Sequence, residues 1–284
     1  MHRCLIAGCG YVGAALGSLL SSQGHTVYGL RRHALRLPAG VEPFEADLGV
    51  PASLARLPGA LDFVFYLASP GGAEDALYRG AYVDGLRNLQ EALARQGQRP
   101  RRVLFASSTA VYGQHDSEWV DENSPAEPVD FRGQRLLEAE QLLASGPSPG
   151  VAVRFGGIYG PRRSGLVAQV RAGRAVVRPG PPHYTNRIHR DDCAGVLRHL
   201  MQLEALEAVY LGVDCEPADE AAVLRWLAGA LGAAEPRLGA EGERHGRERR
   251  ASKRCRNDRL LASGYRFLHP TFREGYRAIL AEQV

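Results

Sequence analysis

Three groups of residues have types and spacing that could do chemistry. The first is Gly8-x-Gly10-x-x-Gly13, set between a short apolar run and a small-residue helical pattern. In such a loop Gly8 permits a tight turn, Gly10 lets backbone approach a pyrophosphate, and Gly13 lets the helix pack closely on the strand. The freed N–H groups of the helix start then face the phosphates, which makes Gly8, Gly10, Tyr11, Val12 and Gly13 candidate contacts of a dinucleotide. The second group is Arg31 and Arg32, at the end of the next strand pattern. An acid there would take a ribose 2′-hydroxyl, whereas arginine suits a 2′-phosphate, so NADP is expected ahead of NAD unless the two arginines are simply solvated. The third is Ser107-Ser108-Thr109, where hydroxyls follow an apolar strand and could orient a reacting oxygen.

These residues need a scaffold, and the hydropathy pattern supplies one. Strands are predicted at His2 to Ala7, His25 to Leu30, Val41 to Leu48, Leu61 to Ser69 and Arg102 to Ser107, with helices at Ala14 to Ser22, Ala81 to Arg95 and Asp130 to Ala144. Regular alternation of this kind predicts an α/β protein with a Rossmann-type, doubly wound parallel sheet covered on both faces. Asp47, at the end of the third strand pattern, either binds the adenine amino group or caps a helix at Ala52 to Arg56. Alternation fails after 160, so 1–160 and 188–212 are assigned to the dinucleotide-binding domain, and 161–187 and 213–284 to a small C-terminal substrate lobe. In that lobe Ala221 to Leu231 reads as an amphipathic helix with Trp226 in its core.

Composition narrows the function classes. The chain has 284 residues, 45% hydrophobic, enough for a sizeable core. No apolar run nears the roughly 20 residues of a membrane span. The first residues lack a signal-peptide pattern, so a cytoplasmic protein is expected, with no membrane partner. Five scattered cysteines carry no metal-like spacing, and no metal site is predicted. Of 35 basic residues only Lys253 is not arginine. A basic run from Glu243 to Arg259 is interrupted by acids and lacks aromatic partners, which reads as solvated surface or an anion-facing edge and not as a nucleic-acid patch.

Taken together, the motifs resemble the extended short-chain dehydrogenase/reductase superfamily, and within it the NAD-dependent epimerase/dehydratase family. The resemblance rests on the glycine loop, Asp47-Leu48, Asp62-x-Val64-x-Tyr66-Leu67-Ala68, Ser107-Ser108-x-x-Val111-Tyr112-Gly113, Arg154 to Pro161 and Ile188 to Ala194. It implies that Ser108 hydrogen-bonds the reacting oxygen, that Leu48, Ala68 and Ser69 touch the cofactor with Asp47, and that Asp191 and Asp192 close the substrate side.

The same resemblance implies a Tyr-x-x-x-Lys pair on the helix Asp130 to Ala144, and the chain lacks it. Aligning Gly133 and Glu140 with the family's glycine and glutamate puts Arg132 and Leu136 at the two places, and sliding by one puts Phe131 and Arg135 there. Neither register supplies a titratable acid, so Tyr112, His115 and His183 are the candidate helpers to Ser108, with Tyr159 and His189 behind them. The pattern is similar to a bacterial branch of the family with a degenerate active-site helix. The resulting expectation is an NAD(P)-dependent oxidoreductase or epimerase moving hydride to or from a small carbonyl, hydroxyl or sugar-nucleotide substrate. The alternative is a catalytically degenerate NADP-binding sensor. Arg154, Arg162, Arg163 and Arg187 either converge with Arg254 or Arg256 on an anionic substrate or pair with local acids. A monomer or a homodimer is expected, the dimer pairing through the helices Ala81 to Arg95 and Asp130 to Ala144.

Overall fold

The computed structural model describes residues 1–33, 37–240 and 252–282. The basic run from Glu243 lies outside the described residues as far as 251.

Seven strands form one parallel sheet: β1 (Arg3–Ala7), β2 (Thr26–Arg31), β3 (Val41–Glu45), β4 (Phe63–Tyr66), β5 (Arg102–Ser108), β6 (Gly150–Phe155) and β7 (Val209–Gly212). Their order is β7-β6-β5-β4-β1-β2-β3. β1 therefore pairs with β2 on one side and β4 on the other, and the chain reverses its direction of travel across the sheet between them. A ligand crevice is expected outside the carboxyl ends of strands at such a point. Every residue of β4 is buried, as two-sided coverage requires.

Two helices cover each face. On one, α1 (Tyr11–Ser22) and α4 (Arg190–Gln202) bury Leu16, Leu20, Val196, Leu197 and Leu200. On the other, α2 (Gly85–Arg95) and α3 (Phe131–Ala144) bury Leu86, Leu89, Leu93, Leu136 and Leu143. Each such side chain contributes about 1.5–3 kcal/mol through removal from water. A third apolar cluster unites α5 (Glu220–Leu231), α6 (Phe272–Ala281) and the helix Gly165–Arg171, and Trp226 meets Phe272 edge-on within it. Asp219 caps α5, Gly232 ends it in the left-handed conformation, and Thr271 with Glu274 closes a capping box on α6. Beside the sheet, strands Asp116–Val120 and Ser252–Cys255 pair in parallel.

Three elements differ from the sequence expectation. The helix expected at Ala52 to Arg56 is a 3-10 turn, Pro51–Leu54. β4 is shorter than the apolar run around it. The helix expected from Ala81 begins earlier, as Asp75–Tyr78 followed by a wide π turn, Arg79–Asp84, before α2. The buried Tyr66 hydroxyl donates to the Ala81 carbonyl at 2.6 Å, and an outside donor inserted at a carbonyl is a recognised cause of helix distortion. No helix among the described residues is long and apolar enough to cross a membrane.

Candidate functional site

The glycine loop joins β1 to α1 against the ends of β2 and β4. Gly8 and Cys9 both donate backbone N–H to Leu30 at 3.1 Å. Gly8 has φ +92°, and a methyl group there would overlap the backbone of Ala68 after β4, so only glycine fits. Gly10 caps α1 without any side-chain acceptor. The N–H groups of Tyr11, Val12 and Gly13 have no acceptor among the described residues, which leaves a cradle for an anion at the helix start. Tyr11 is fixed by its hydroxyl on the Pro161 carbonyl at 2.9 Å, with the Arg163 and Arg190 guanidiniums 5.8 and 5.3 Å from its ring centroid.

Arg31 and Arg32 are exposed beside this loop, and their side chains make no hydrogen bond or ion pair among the described residues. Asp47 does not cap the Pro51–Leu54 turn; its Oδ1 accepts the Gly49 N–H at 2.8 Å, while Ser53 Oγ bonds its backbone on both sides. Leu48 packs on the core and its carbonyl accepts Asn88 Nδ2. Ala68 touches Gly8, and Ser69 is exposed after it. Loop, arginine pair, Asp47 to Leu48 and Ala68 to Ser69 thus line one edge of the sheet at the switch point.

At the other end of the crevice Ser108 closes β5. Its hydroxyl accepts the Ala110 N–H at 3.2 Å, so it does cap a 3-10 turn, Thr109–Val111, yet its own proton has no acceptor among the described residues. Gly133 lies so close to the Ala110 carbonyl that a side chain would overlap it, which seats α3 against this turn. On α3, Phe131 and Arg132 lie in the first turn, Arg135 pairs with Asp75 and Glu138, and Leu136 is buried. Neither alignment of α3 therefore brings a phenol or an amine to the crevice.

Ser107, one residue earlier, faces inward and donates to Glu140 at 2.5 Å. Glu140 also receives a forked pair from Arg154, whose Nη1 donates to the Tyr112 hydroxyl at 2.7 Å. That hydroxyl in turn donates to the Asp121 carbonyl. Tyr112 and Arg154 are thus held in a fully bonded buried network, and the local-acid reading of Arg154 is the one the structure bears out. His115 is exposed in a loop, its ring 3.3 Å from the Gly113 carbonyl and 3.8 Å from Asp116. His183 is half-buried in a loop tied by its backbone to Asp219 and Glu220.

His189 caps α4 through Nδ1, on the Asp191 N–H, and its ring lies tilted against that of His269 with centroids 4.0 Å apart. Burial, then the nearby His269, lowers its pKa, so it stays neutral near pH 7. Its Nε2, the Tyr159 hydroxyl and Asp214 Oδ2 are buried without partners among the described residues. Burial raises the Asp214 pKa from 3.8 to about 8. Asp192 is buried and accepts the Tyr265 hydroxyl, the Leu268 and His269 N–H groups and the His269 ring. It therefore ties α4 to the C-terminal segment instead of facing a substrate. The trio His189, Asp192 and His269 is close enough to suggest a metal. Asp192 already accepts four hydrogen bonds and His189 Nδ1 accepts an N–H, which leaves His189 Nε2 as that ring's one open nitrogen among the described residues.

The arginines proposed to converge fall in separate places. Arg187 is buried, Arg162 is exposed, and Arg163 covers Tyr11. Arg254 and Arg256 stack on the exposed Trp119, Arg254 also on Tyr184.

Two features of the crevice were not legible in spacing. Lys253, expected far from the site, is buried, and its Nζ donates to the Tyr112 carbonyl at 2.6 Å. Burial lowers its pKa. Tyr78 and Tyr82 project from the helical turns before α2; Tyr78 meets Phe131 edge-on at 5.5 Å and Tyr82 at 5.6 Å. Only long-range pairing brings Lys253 to Tyr112 and Tyr78 to Phe131, and no local signal announces either.

Comparisons with known proteins agree with this architecture. The profile of the NAD dependent epimerase/dehydratase family matches residues 4–178. A solved structure of a candidate NAD-dependent epimerase/dehydratase from Methylobacillus flagellatus is 38% identical, covers 99% of this chain and 98% of its own, and superimposes with a TM-score of 0.83. UDP-glucose 4-epimerase of Thermus thermophilus, solved in complex with NAD, is 25% identical over 98% of each chain, with a TM-score of 0.82. Among curated proteins, the 3-diazoavenalumate denitrifying reductase of a Streptomyces species is 28% identical, covering 96% of this chain and 98% of its own. With the glycine loop, the switch-point crevice and a family match over most of the chain in agreement, this protein belongs to the NAD dependent epimerase/dehydratase family.

Proposed function

We propose that this protein binds NADP(H) along the glycine loop and is an oxidoreductase or epimerase acting on a small carbonyl, hydroxyl or sugar-nucleotide substrate. The observation that carries the reading is the cradle itself: Gly8 folded onto Ala68, with three unpaired N–H groups at the start of α1. Arg31 and Arg32, unpaired beside it, suit a 2′-phosphate. The Streptomyces relative is a reductase and the Thermus relative was solved with NAD, which supports nicotinamide chemistry here.

When bound, the cofactor supplies or accepts hydride at its nicotinamide ring. This chain's residues do the rest. The N–H groups of Tyr11, Val12 and Gly13 hold the pyrophosphate, and Asp47 Oδ2 accepts from the adenine amino group. Ser108, its proton free, donates a hydrogen bond to the substrate oxygen. The described residues of segments 161–187 and 213–284 are assigned to the substrate-side lobe. The test is absorbance of NADPH over a panel of aldehydes, ketones and sugar nucleotides. A stereospecific turnover is expected, lowered by Ser108→Ala with cofactor affinity unchanged; tight NADPH binding with no turnover would sink the enzyme reading. That second outcome would favour an NADP-binding sensor, a reading motivated by the buried Leu136 and the phenol-free face of α3.

A further inference from the structure

The chain lacks the expected phenol on α3, but the opposite wall of the crevice has two. Tyr82 lies in the π turn Arg79–Asp84, a distortion often found at functional sites. Its ring stands edge-on to Phe105 of β5 at 6.1 Å and 88° and to Tyr78 at 5.6 Å. Tyr78 is in turn edge-on to Phe131, one of the two residues at the missing tyrosine's place. This aromatic row fixes Tyr82 on the Phe105 and Ser107 face of β5, one residue before Ser108 ends the strand. The Tyr82 hydroxyl has no hydrogen-bond partner among the described residues, unlike Tyr66, Tyr112 and Tyr265, whose hydroxyls are all engaged. The Arg163 guanidinium, without an ion pair among the described residues, acts electrostatically on the phenol while covering Tyr11 of the glycine loop. Tyr82 thus packs beside β5, within electrostatic reach of the arginine that covers Tyr11 of the cradle.

We propose that Tyr82, opposite Arg163, takes the place of the absent helix tyrosine and donates the proton to the substrate oxygen. The inference rests on the NADP(H) reading above. In the reducing direction, hydride with its electron pair adds to the carbonyl carbon and NADPH becomes NADP⁺. The carbonyl π pair moves onto oxygen, and that oxygen takes the Tyr82 proton. The phenolate left behind faces Arg163 and is reprotonated by solvent. Burial, followed by the neighbouring Tyr78, pushes the Tyr82 pKa up to about 12, with Arg163 opposing. Tyr82 in turn helps to raise the pKa of the buried Tyr66. The Tyr82 phenol is therefore protonated at neutral pH, the form needed to donate, and it becomes a stronger acid only as a nearby positive charge lowers its pKa toward neutrality.

The test reads the phenol directly. In protein carrying carbon-labelled tyrosine, the ring Cζ resonance absent from Tyr82→Phe reports Tyr82 ionisation. Cofactor binding is followed separately by NADPH fluorescence and by competition with NADP⁺. Bound NADP⁺, with its cationic nicotinamide, lowers the Tyr82 pKa by about one unit or more, and Arg163→Gln raises it. Tyr78→Phe leaves the NADP⁺-induced change in place. NADP⁺ binding with no change at Tyr82 overturns this inference and leaves the cofactor reading standing. No binding of either cofactor form overturns both. With a substrate from the panel, Tyr82→Phe lowers kcat about 10²- to 10⁴-fold with cofactor affinity kept; a wild-type rate overturns the proposal.

Discussion

The two ends of the crevice are built from the same kind of material and have different fates. At the glycine-loop end, a left-handed Gly8, an uncapped helix start and unpaired Arg31 and Arg32 leave polar groups open toward a ligand. At the α3 end, Ser107, Glu140, Arg154 and Tyr112 satisfy one another in a closed buried network. The first end looks like a site held ready, the second like a scaffold that persists after its reactive pair is gone. The difference teaches that the geometry needed to bind a dinucleotide and the groups needed for proton transfer are separable. Gly133 and Glu140 keep α3 in position without the tyrosine and lysine that the position ordinarily serves.

That contrast can be broken at its structural end first. Glu140→Ala leaves Arg154 buried and unpaired, and urea unfolding is expected to show a loss of about 3–5 kcal/mol. A loss below about 1 kcal/mol would mean that the network is not what seats α3. Asp214, beyond both ends, gives the next effect. The folded protein holds its proton more tightly than the unfolded chain, with a pKa raised from 3.8 to about 8. Its stabilising contribution is complete below about pH 4 and is lost as pH rises toward 8. Asp214→Asn removes that slope in thermal melts and raises stability at pH 7 by on the order of 2–4 kcal/mol. An unchanged slope would put the ionised carboxylate in the fold.

Smaller effects sharpen the binding end. Gly8→Ala forces a side chain into a left-handed backbone and against Ala68, costing about 1–3 kcal/mol and weakening NADPH binding measured by fluorescence. Replacing Arg31 and Arg32 together by serine leaves melting unchanged and weakens NADPH, but not NADH, by about 10- to 100-fold, as expected for lost charge-assisted hydrogen bonds. An equal loss for both cofactors would make the arginines general attractors and not readers of the 2′-phosphate.

How much of this was legible beforehand follows from the range of the interactions. β1, the glycine loop and α1 are local in sequence, and their pattern announced both fold and cradle. The boundaries of α3 were legible too, because Asp130 is an N-cap signal and the structure uses it, with Oδ1 on the Arg132 and Gly133 N–H groups. The early start of the α2 segment was not, since it depends on Tyr66 reaching Ala81 from β4. Lys253 was misjudged as remote for the same reason: its strand pairs with Asp116–Val120, more than a hundred residues away. Asp192 was expected at the substrate and is instead saturated by donors from Tyr265 to His269, a tertiary closure that no spacing rule predicts.

The central claim is that the open end of the crevice holds a phosphorylated dinucleotide. Fluorescence titration of the unmodified protein with NADPH and with NADH tests it most directly. Saturable binding of NADPH, about tenfold or more tighter than NADH, is the predicted result; no binding of either, or NADH bound as tightly, would contradict it.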